Sequence, residues 1–133
     1  MNTFLIIVVI LISLFSCNSQ YLITQNNRVV FVKDCTLNEK INVGDTVIIQ
    51  LIQYPGRGLS WELKSLPNKK NEILFVNKSL SDDQESMDDG SQKVYFKFLI
   101  KGTTDFKLEF EYRRPWESDK PPIKNCIVFL RTT

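Results

Sequence analysis

The sequence contains no histidine, and among its 133 residues there are only three cysteines and five glycines. Without histidine, neither a Cys–His pair nor a Ser–His–Asp triad can be assembled. A structural zinc site needs about four nitrogen or sulfur ligands, more than three thiols supply. There is also no Gly-rich phosphate-binding loop. We therefore expect a protein that is not an enzyme and that carries neither a cofactor nor a metal.

Charge is missing from one part of the chain. Met1 to Gln20 carries no charged side chain, and Phe4 to Phe15 is apolar except for Ser13. About twelve apolar residues are too few to span a bilayer, which needs roughly 20. The length is typical of the core of a signal peptide, and small residues follow it. We predict a signal peptide over residues 1–19, removed on export, and one domain over residues 20–133.

The end of this leader has a second interpretation. Leu14 to Cys17, "LFSC", is similar to a bacterial lipobox, in which the cysteine is lipidated and becomes the first residue. In that case the domain is anchored to a bacterial surface through Cys17, and this is the only route by which we expect it to meet a membrane. Otherwise we expect it to be secreted or to lie in an endolysosomal or phagosomal lumen.

The remaining composition adds few constraints. The formal net charge is only +2, so a nucleic-acid partner is not expected. Cys35 and Cys126 either form a disulfide, as exported proteins allow, or are two small buried side chains. Asn77-Lys78-Ser79 is a sequon that is available for glycosylation if the source is a eukaryote. The acidic run Asp82 to Asp89 is interpreted as a solvated loop.

The pattern of residues 20–133 predicts short strands separated by turns. Alternation of apolar and polar residues is clearest from Phe106 to Tyr112, where every second residue is apolar. Other strands are predicted at Arg28–Val32, Thr46–Ile52, Leu59–Leu66, Glu72–Val76, Gln92–Gly102 and Asn125–Arg131. With no convincing helix, the pattern predicts an all-β, immunoglobulin-like β-sandwich of about seven or eight strands. Trp61 is expected in its core.

The most unusual feature is where the Phe106–Tyr112 strand stops. The stretch "RPW", Arg114 to Trp116, places a cation, a proline and the largest aromatic side chain at the edge of solvent. Trp and Arg are the residues that most often dominate interface energy. From composition alone, Trp116 either projects as a binding residue or folds back over the end of the core.

Three segments resemble the chagasin family, whose members inhibit papain-like cysteine proteases. "YRRPW" matches the Arg-Pro-Trp loop of that family in full. "YPGRGLSW" takes the place of its Asn-Pro-Thr-Thr-Gly loop, with Pro55, Gly58 and Trp61 in common. "DDGS" takes the place of its glycine-rich loop, and there Gly90 alone matches.

The resemblance implies an immunoglobulin-like sandwich with three loops at one end that occlude a protease cleft. It implies that the partners are papain-like, cathepsin-like cysteine proteases, bound reversibly and tightly by a monomer. The alternative is an exported adhesion or ligand-binding module without antiprotease activity. The protease-binding residues that the resemblance indicates are Tyr54, Pro55, Gly56, Arg57, Gly58, Asp89, Gly90, Ser91, Arg114, Pro115 and Trp116.

Overall fold

The computed structural model describes residues 27–33, 35, 38–65, 71–81 and 88–133. The predicted signal peptide, Cys17 and most of the acidic run lie outside the described residues. Within the described part of the chain, no helix is long and apolar enough to cross a membrane.

Eight strands form two four-stranded sheets that pack face to face. The strands are β1 (Val29–Val32), β2 (Asn38–Ile41), β3 (Thr46–Gln53), β4 (Ser60–Ser65), β5 (Ile73–Leu80), β6 (Gln92–Ile100), β7 (Phe106–Arg113) and β8 (Lys124–Thr132). The first sheet has the order β1-β3-β6-β5, and the second has the order β2-β8-β7-β4. The pairs β1–β3 and β2–β8 are parallel, and the other pairs are antiparallel. The prediction of an all-β sandwich is confirmed.

The core follows from the period-two pattern of the strands, because alternate side chains point to opposite faces of a sheet. The inward residues of β6 and β7 supply five of its six buried aromatic side chains; those five are Phe96, Phe98, Phe106, Phe110 and Tyr112. Phe96 and Phe110 are fully buried, with ring centroids 4.7 Å apart, one from each sheet. Trp61 is 6% exposed, in agreement with the prediction that it lies in the core.

Two strands, β5 and β2, differ from the sequence-based prediction. The strand predicted to stop at Val76 continues to Leu80, through the polar residues Asn77, Lys78 and Ser79. This β5 extension is an edge strand, and its backbone is paired with β6 although its side chains are mostly exposed. β2 was not predicted, because four residues with one inward apolar side chain, Ile41, give no readable alternation.

A disulfide joins Cys35, in the connection between β1 and β2, to Cys126 on β8. It ties the segment that passes between the two sheets to the second sheet. Of the two alternatives that the sequence left open, the disulfide is the one present.

Candidate functional site

Three chain connections meet at one end of the sandwich. β3 ends at Gln53, opposite Gln92, where β6 begins, so the β3–β4 and β5–β6 connections lie at the same end of the first sheet. In the second sheet Ser60, at the start of β4, pairs with Arg113, at the end of β7. The β7–β8 connection therefore begins beside the end of the β3–β4 connection. We call segments 54–58, 89–91 and 114–116 the rim.

The first rim segment is a compact turn. Pro55–Arg57 forms a single 3-10 turn, in which the Gly58 N–H donates to the Pro55 carbonyl at 2.9 Å. Pro55 fixes its own φ near the value that such a turn needs. Gly58 ends the turn at φ +71°, a left-handed conformation that glycine adopts without the penalty of a Cβ. Sequence and geometry therefore agree on a stiff, narrow turn.

The third rim segment is a second turn, and its tryptophan projects. The Glu117 N–H donates to the Arg114 carbonyl at 3.0 Å, which closes the turn around Pro115 and Trp116. The Trp116 side chain is 69% exposed, and no other large apolar residue described is as exposed. Of the two alternatives for Trp116, the projecting side chain is therefore the one observed.

The first and third segments touch. A Cβ built on Gly58 would lie 2.4 Å from the Cη2 atom of Trp116, so the indole rests directly on the glycine. Beside it, Nε of Arg114 donates to the carbonyl of Arg57 at 3.3 Å. The Arg57 guanidinium in turn lies over the ring of Tyr54, 5.1 Å from its centroid. These contacts join two loops, far apart in sequence, into one ridge.

The second segment stands beside this ridge. Gly90 has φ +77° with open space around its Cα, and Ser91 is buried at the entrance to β6. The Ser91 side chain and, at 3.0 Å, the Ser91 backbone N–H favour the ionised form of Asp89 and lower its pKa below the ordinary value. Among the described residues, no hydrogen bond or ion pair joins residues 89–91 to the other two segments, so the second segment shares the end of the sandwich but is not tied into the ridge.

Two residues that the sequence did not single out hold the ridge from below. The hydroxyl of Tyr112 accepts from the Tyr54 N–H at 2.9 Å, and its ring stacks on Trp61 with centroids 4.9 Å apart. Gln53 is 4% exposed, and its amide donates to Gln92 at 3.0 Å and accepts from the Trp61 N–H at 3.3 Å. The available signal was the inward position of Gln53, two residues after Leu51 in the alternation of β3.

Replacing Tyr112 with phenylalanine tests this support. We expect Tyr112→Phe to lower the free energy of unfolding by about 1–2 kcal/mol, because the Tyr54 N–H loses its partner while the buried ring stays. Chemical denaturation measures the change. Tyr95→Phe, on the outer face of the first sheet, is the matched control and should change stability by less than about 0.5 kcal/mol. Equal losses in both variants would contradict the role assigned to the hydroxyl.

A ridge of joined loops at one end of a β-sandwich is an arrangement typical of a binding surface. The family model for the chagasin family peptidase inhibitor I42 matches residues 40–129, which include the whole rim. The chain belongs to that family, so it is a peptidase inhibitor and not an enzyme.

Two solved structures share the fold, and a third resembles it more weakly. A crystal structure of the cysteine protease inhibitor EhICP2 from Entamoeba histolytica superposes with a TM-score of 0.67 at 14% identity, covering 81% of this chain and 98% of that one. The solution structure of Amebosin gives a TM-score of 0.59 at 19% identity, covering 80% and 98%. PbICP-C, solved in complex with falcipain-2, gives 0.49 at 13% identity, covering 83% and 93%. No curated protein sequence matches the chain.

Proposed function

We propose that this protein inhibits papain-like cysteine proteases by inserting the rim into the substrate cleft. The observation that supports the proposal most directly is the contact between Gly58 and Trp116, with the Arg114–Arg57 hydrogen bond beside it. It holds the first and third rim segments as one body before any partner arrives. A rigid binder loses less conformational entropy on association, so more of its contact energy appears as affinity.

The chemistry of the ridge suits an enzyme groove. Its first segment offers backbone at Gly56, where nothing lies within 4 Å of the position a Cβ would take and no side chain stands between the chain and a catalytic thiolate. Its third segment offers the exposed indole of Trp116, a large and rigid apolar surface. Aromatic anchors of this kind commonly contribute about 2 kcal/mol or more to an interface. Inhibition of this kind requires no acid, base or nucleophile from the inhibitor.

Titration against papain tests the proposal. Residues 20–133 are added to papain at a fixed concentration, and the residual cleavage of a fluorogenic peptide is followed. We expect a stoichiometric loss of activity that is recovered on dilution, because the contact is non-covalent. Undiminished activity at micromolar inhibitor would overturn the proposal and favour a binding module without antiprotease activity.

Arg57 is the residue by which we expect this chain to choose among proteases. It is exposed at the tip of the first segment, and its guanidinium rests on Tyr54 and carries a positive charge toward the partner. We expect Arg57→Ala to weaken inhibition of enzymes with an acidic cleft margin by about tenfold, and to change others little. Inhibition constants across several cathepsin-like enzymes measure this, with Arg57→Lys as the charge-preserving control. A uniform effect on every enzyme would contradict a role in selectivity.

The setting of this activity is also a proposal. We propose that the chain is exported, acts as a monomer and meets cathepsin-like enzymes outside the cell or in an endolysosomal or phagosomal lumen. The Cys35–Cys126 disulfide supports export, because disulfides persist in oxidising compartments. Mass spectrometry of the mature N-terminus distinguishes cleavage near residue 19 from lipidation at Cys17.

A further inference from the structure

The outer faces of the two sheets are different in kind. On the second sheet, charged side chains form ion pairs: Lys64 pairs with Glu109 and Glu111 across strands, and Arg113 pairs with Glu111 along β7. The outer face of the first sheet is instead a shallow groove of about 560 Å³. Its lining mixes the apolar side chains of Phe31 and Ile48 and the ring of Tyr95 with polar and basic residues, and no carboxylate lines it; the others are Lys33, Gln50, Asn77, Ser79 and Lys97. The apolar side chains on this face are partly open to solvent, and Phe31 is 53% exposed.

Asn77 and Ser79 stand at the margin of this groove. The register pairs Asn77 with Lys97 and Ser79 with Tyr95, so both side chains point outward, while Lys78 between them turns inward. The Lys78 ammonium donates to the Trp61 carbonyl at 2.7 Å. Asn77 and Ser79 are both exposed, and in the described part of the chain their side chains show no hydrogen bond. The asparagine amide and the hydroxyl two residues later are thus side by side on open surface.

These two residues are the ends of the Asn77-Lys78-Ser79 sequon, and no other such triplet occurs in the sequence. We propose that Asn77 is N-glycosylated and that its glycan covers the groove on the outer face of the first sheet. The inference rests on the proposed export and not on the inhibitory activity. In the transfer, Nδ2 of Asn77 displaces the diphosphate of a lipid-linked oligosaccharide from the sugar C1. A C–N bond forms, the C–O bond to phosphate breaks, and the amide proton leaves with the lipid diphosphate.

A glycan suits this surface for two physical reasons. Its bulk and polarity shield the exposed apolar side chains of this face, among them Phe31, which is 53% exposed. Carbohydrate at Asn77 also shields the outer edge of β5, which no other strand in the described part of the chain pairs with and which would otherwise be open to pairing with another chain. The inward-turned Lys78 already makes that edge less receptive. A sugar at Asn77 and a lysine at the next position therefore protect one edge strand in two ways.

The same position leaves the rim free. Asn77 lies in the row of Lys97 and Ile48, and the rim begins after Gln53, five residues further along β3. At 3.3 Å per residue, that is about 17 Å of strand. The glycan therefore stands on the side of the sandwich, and we expect it to leave protease inhibition unchanged.

Expression of the full 133-residue chain in cultured eukaryotic cells tests the proposal. We expect the secreted protein to run as a heavier band that collapses after treatment with peptide-N-glycosidase F, which also converts Asn77 to aspartate. Asn77→Gln and Ser79→Ala should each remove the heavier band, whereas Ser79→Thr should keep it. After deglycosylation, an apolar dye such as anilinonaphthalene sulfonate should bind more strongly than before, because the groove is uncovered.

Several outcomes would overturn the inference. Secreted protein of unmodified mass would do so, and so would a full chain that never enters the secretory pathway. A heavier band that is still present in Asn77→Gln would place the modification elsewhere. Unchanged dye binding after sugar removal would refute the covering role. Papain titration of glycosylated protein and of Asn77→Gln keeps this test separate from the test of the proposed function. Inhibition can fail in protein that carries the glycan, and protein without the glycan can still inhibit.

Discussion

Trp116→Ala should weaken the inhibition of papain by about 30-fold or more, the equivalent of about 2 kcal/mol. The indole is 69% exposed, so it contributes little to the core and much to any surface that closes over it. The free energy of unfolding should therefore change by less than about 0.5 kcal/mol. Inhibition constants from progress curves, with denaturant midpoints on the same preparations, measure both quantities.

Gly58→Ala tests whether inhibition depends on the position of the Trp116 indole, and not only on its presence. The added methyl group would lie 2.4 Å from the ring, so the indole must move. We expect a loss of affinity in Gly58→Ala that largely disappears in the Trp116→Ala background, because the moved ring is then absent. The double-mutant cycle measures this coupling directly.

The matched control is Gly44→Ala. Gly44 also has a positive φ, +90°, but it lies in the Asn42–Asp45 turn at the opposite end of the sandwich. The Gly44→Ala variant should lose stability from backbone strain, as Gly58→Ala does, but it should keep its affinity for papain. If the losses of affinity in Gly58→Ala and Trp116→Ala were fully additive, the glycine would not act through the ring. If Trp116→Ala left the inhibition constant unchanged, the indole would not belong to the interface.

Strands were predictable from the sequence where one face of the strand meets the core and the other meets solvent. From Phe106 to Tyr112, the alternation of apolar and charged residues reports directly which face meets the core. The turns that flank such strands contain Pro and Gly, whose backbone preferences are local properties. Strand identity and loop positions therefore follow from nearest neighbours along the chain.

The parts that were not predicted depend on distant residues. β5 extends through Asn77 to Leu80 because β6 offers it backbone partners, not because its own side chains favour a strand. β2 forms for the same reason along β8. Edge strands of this kind take their structure from the neighbouring strand, which no local pattern reveals.

The candidate site divides in the same way. Arg114 to Trp116 was identified from residue type and position alone, and the resemblance supplied residues 54–58 and 89–91. The indole of Trp116 packs on Gly58, and the Tyr54 N–H donates to the Tyr112 hydroxyl. In each of these contacts the two residues are 58 positions apart. Such contacts exist only once both loops have reached the same end of the sandwich. The sequence therefore predicts candidate residues for the site, and the fold determines how they support one another.

The disulfide should have the largest effect on stability. Replacing both cysteines, Cys35→Ala with Cys126→Ala, is expected to lower the free energy of unfolding by about 2–5 kcal/mol. The two cysteines are 91 residues apart, so the crosslink removes much of the freedom of the unfolded chain. Guanidinium denaturation of residues 20–133 measures the loss.

Reductant provides the control, because it should shift the unfolding midpoint of the wild type toward that of the double variant and leave the double variant unchanged. A wild-type midpoint that is insensitive to reductant would contradict the prediction. Neither cysteine belongs to the rim, so wherever the double variant is folded it should inhibit papain as the wild type does. A parallel fall in affinity would instead mean that the crosslink helps to shape the rim. We therefore expect removal of the disulfide to lower stability and leave inhibition unchanged, and removal of the Trp116 indole to weaken inhibition and change stability little.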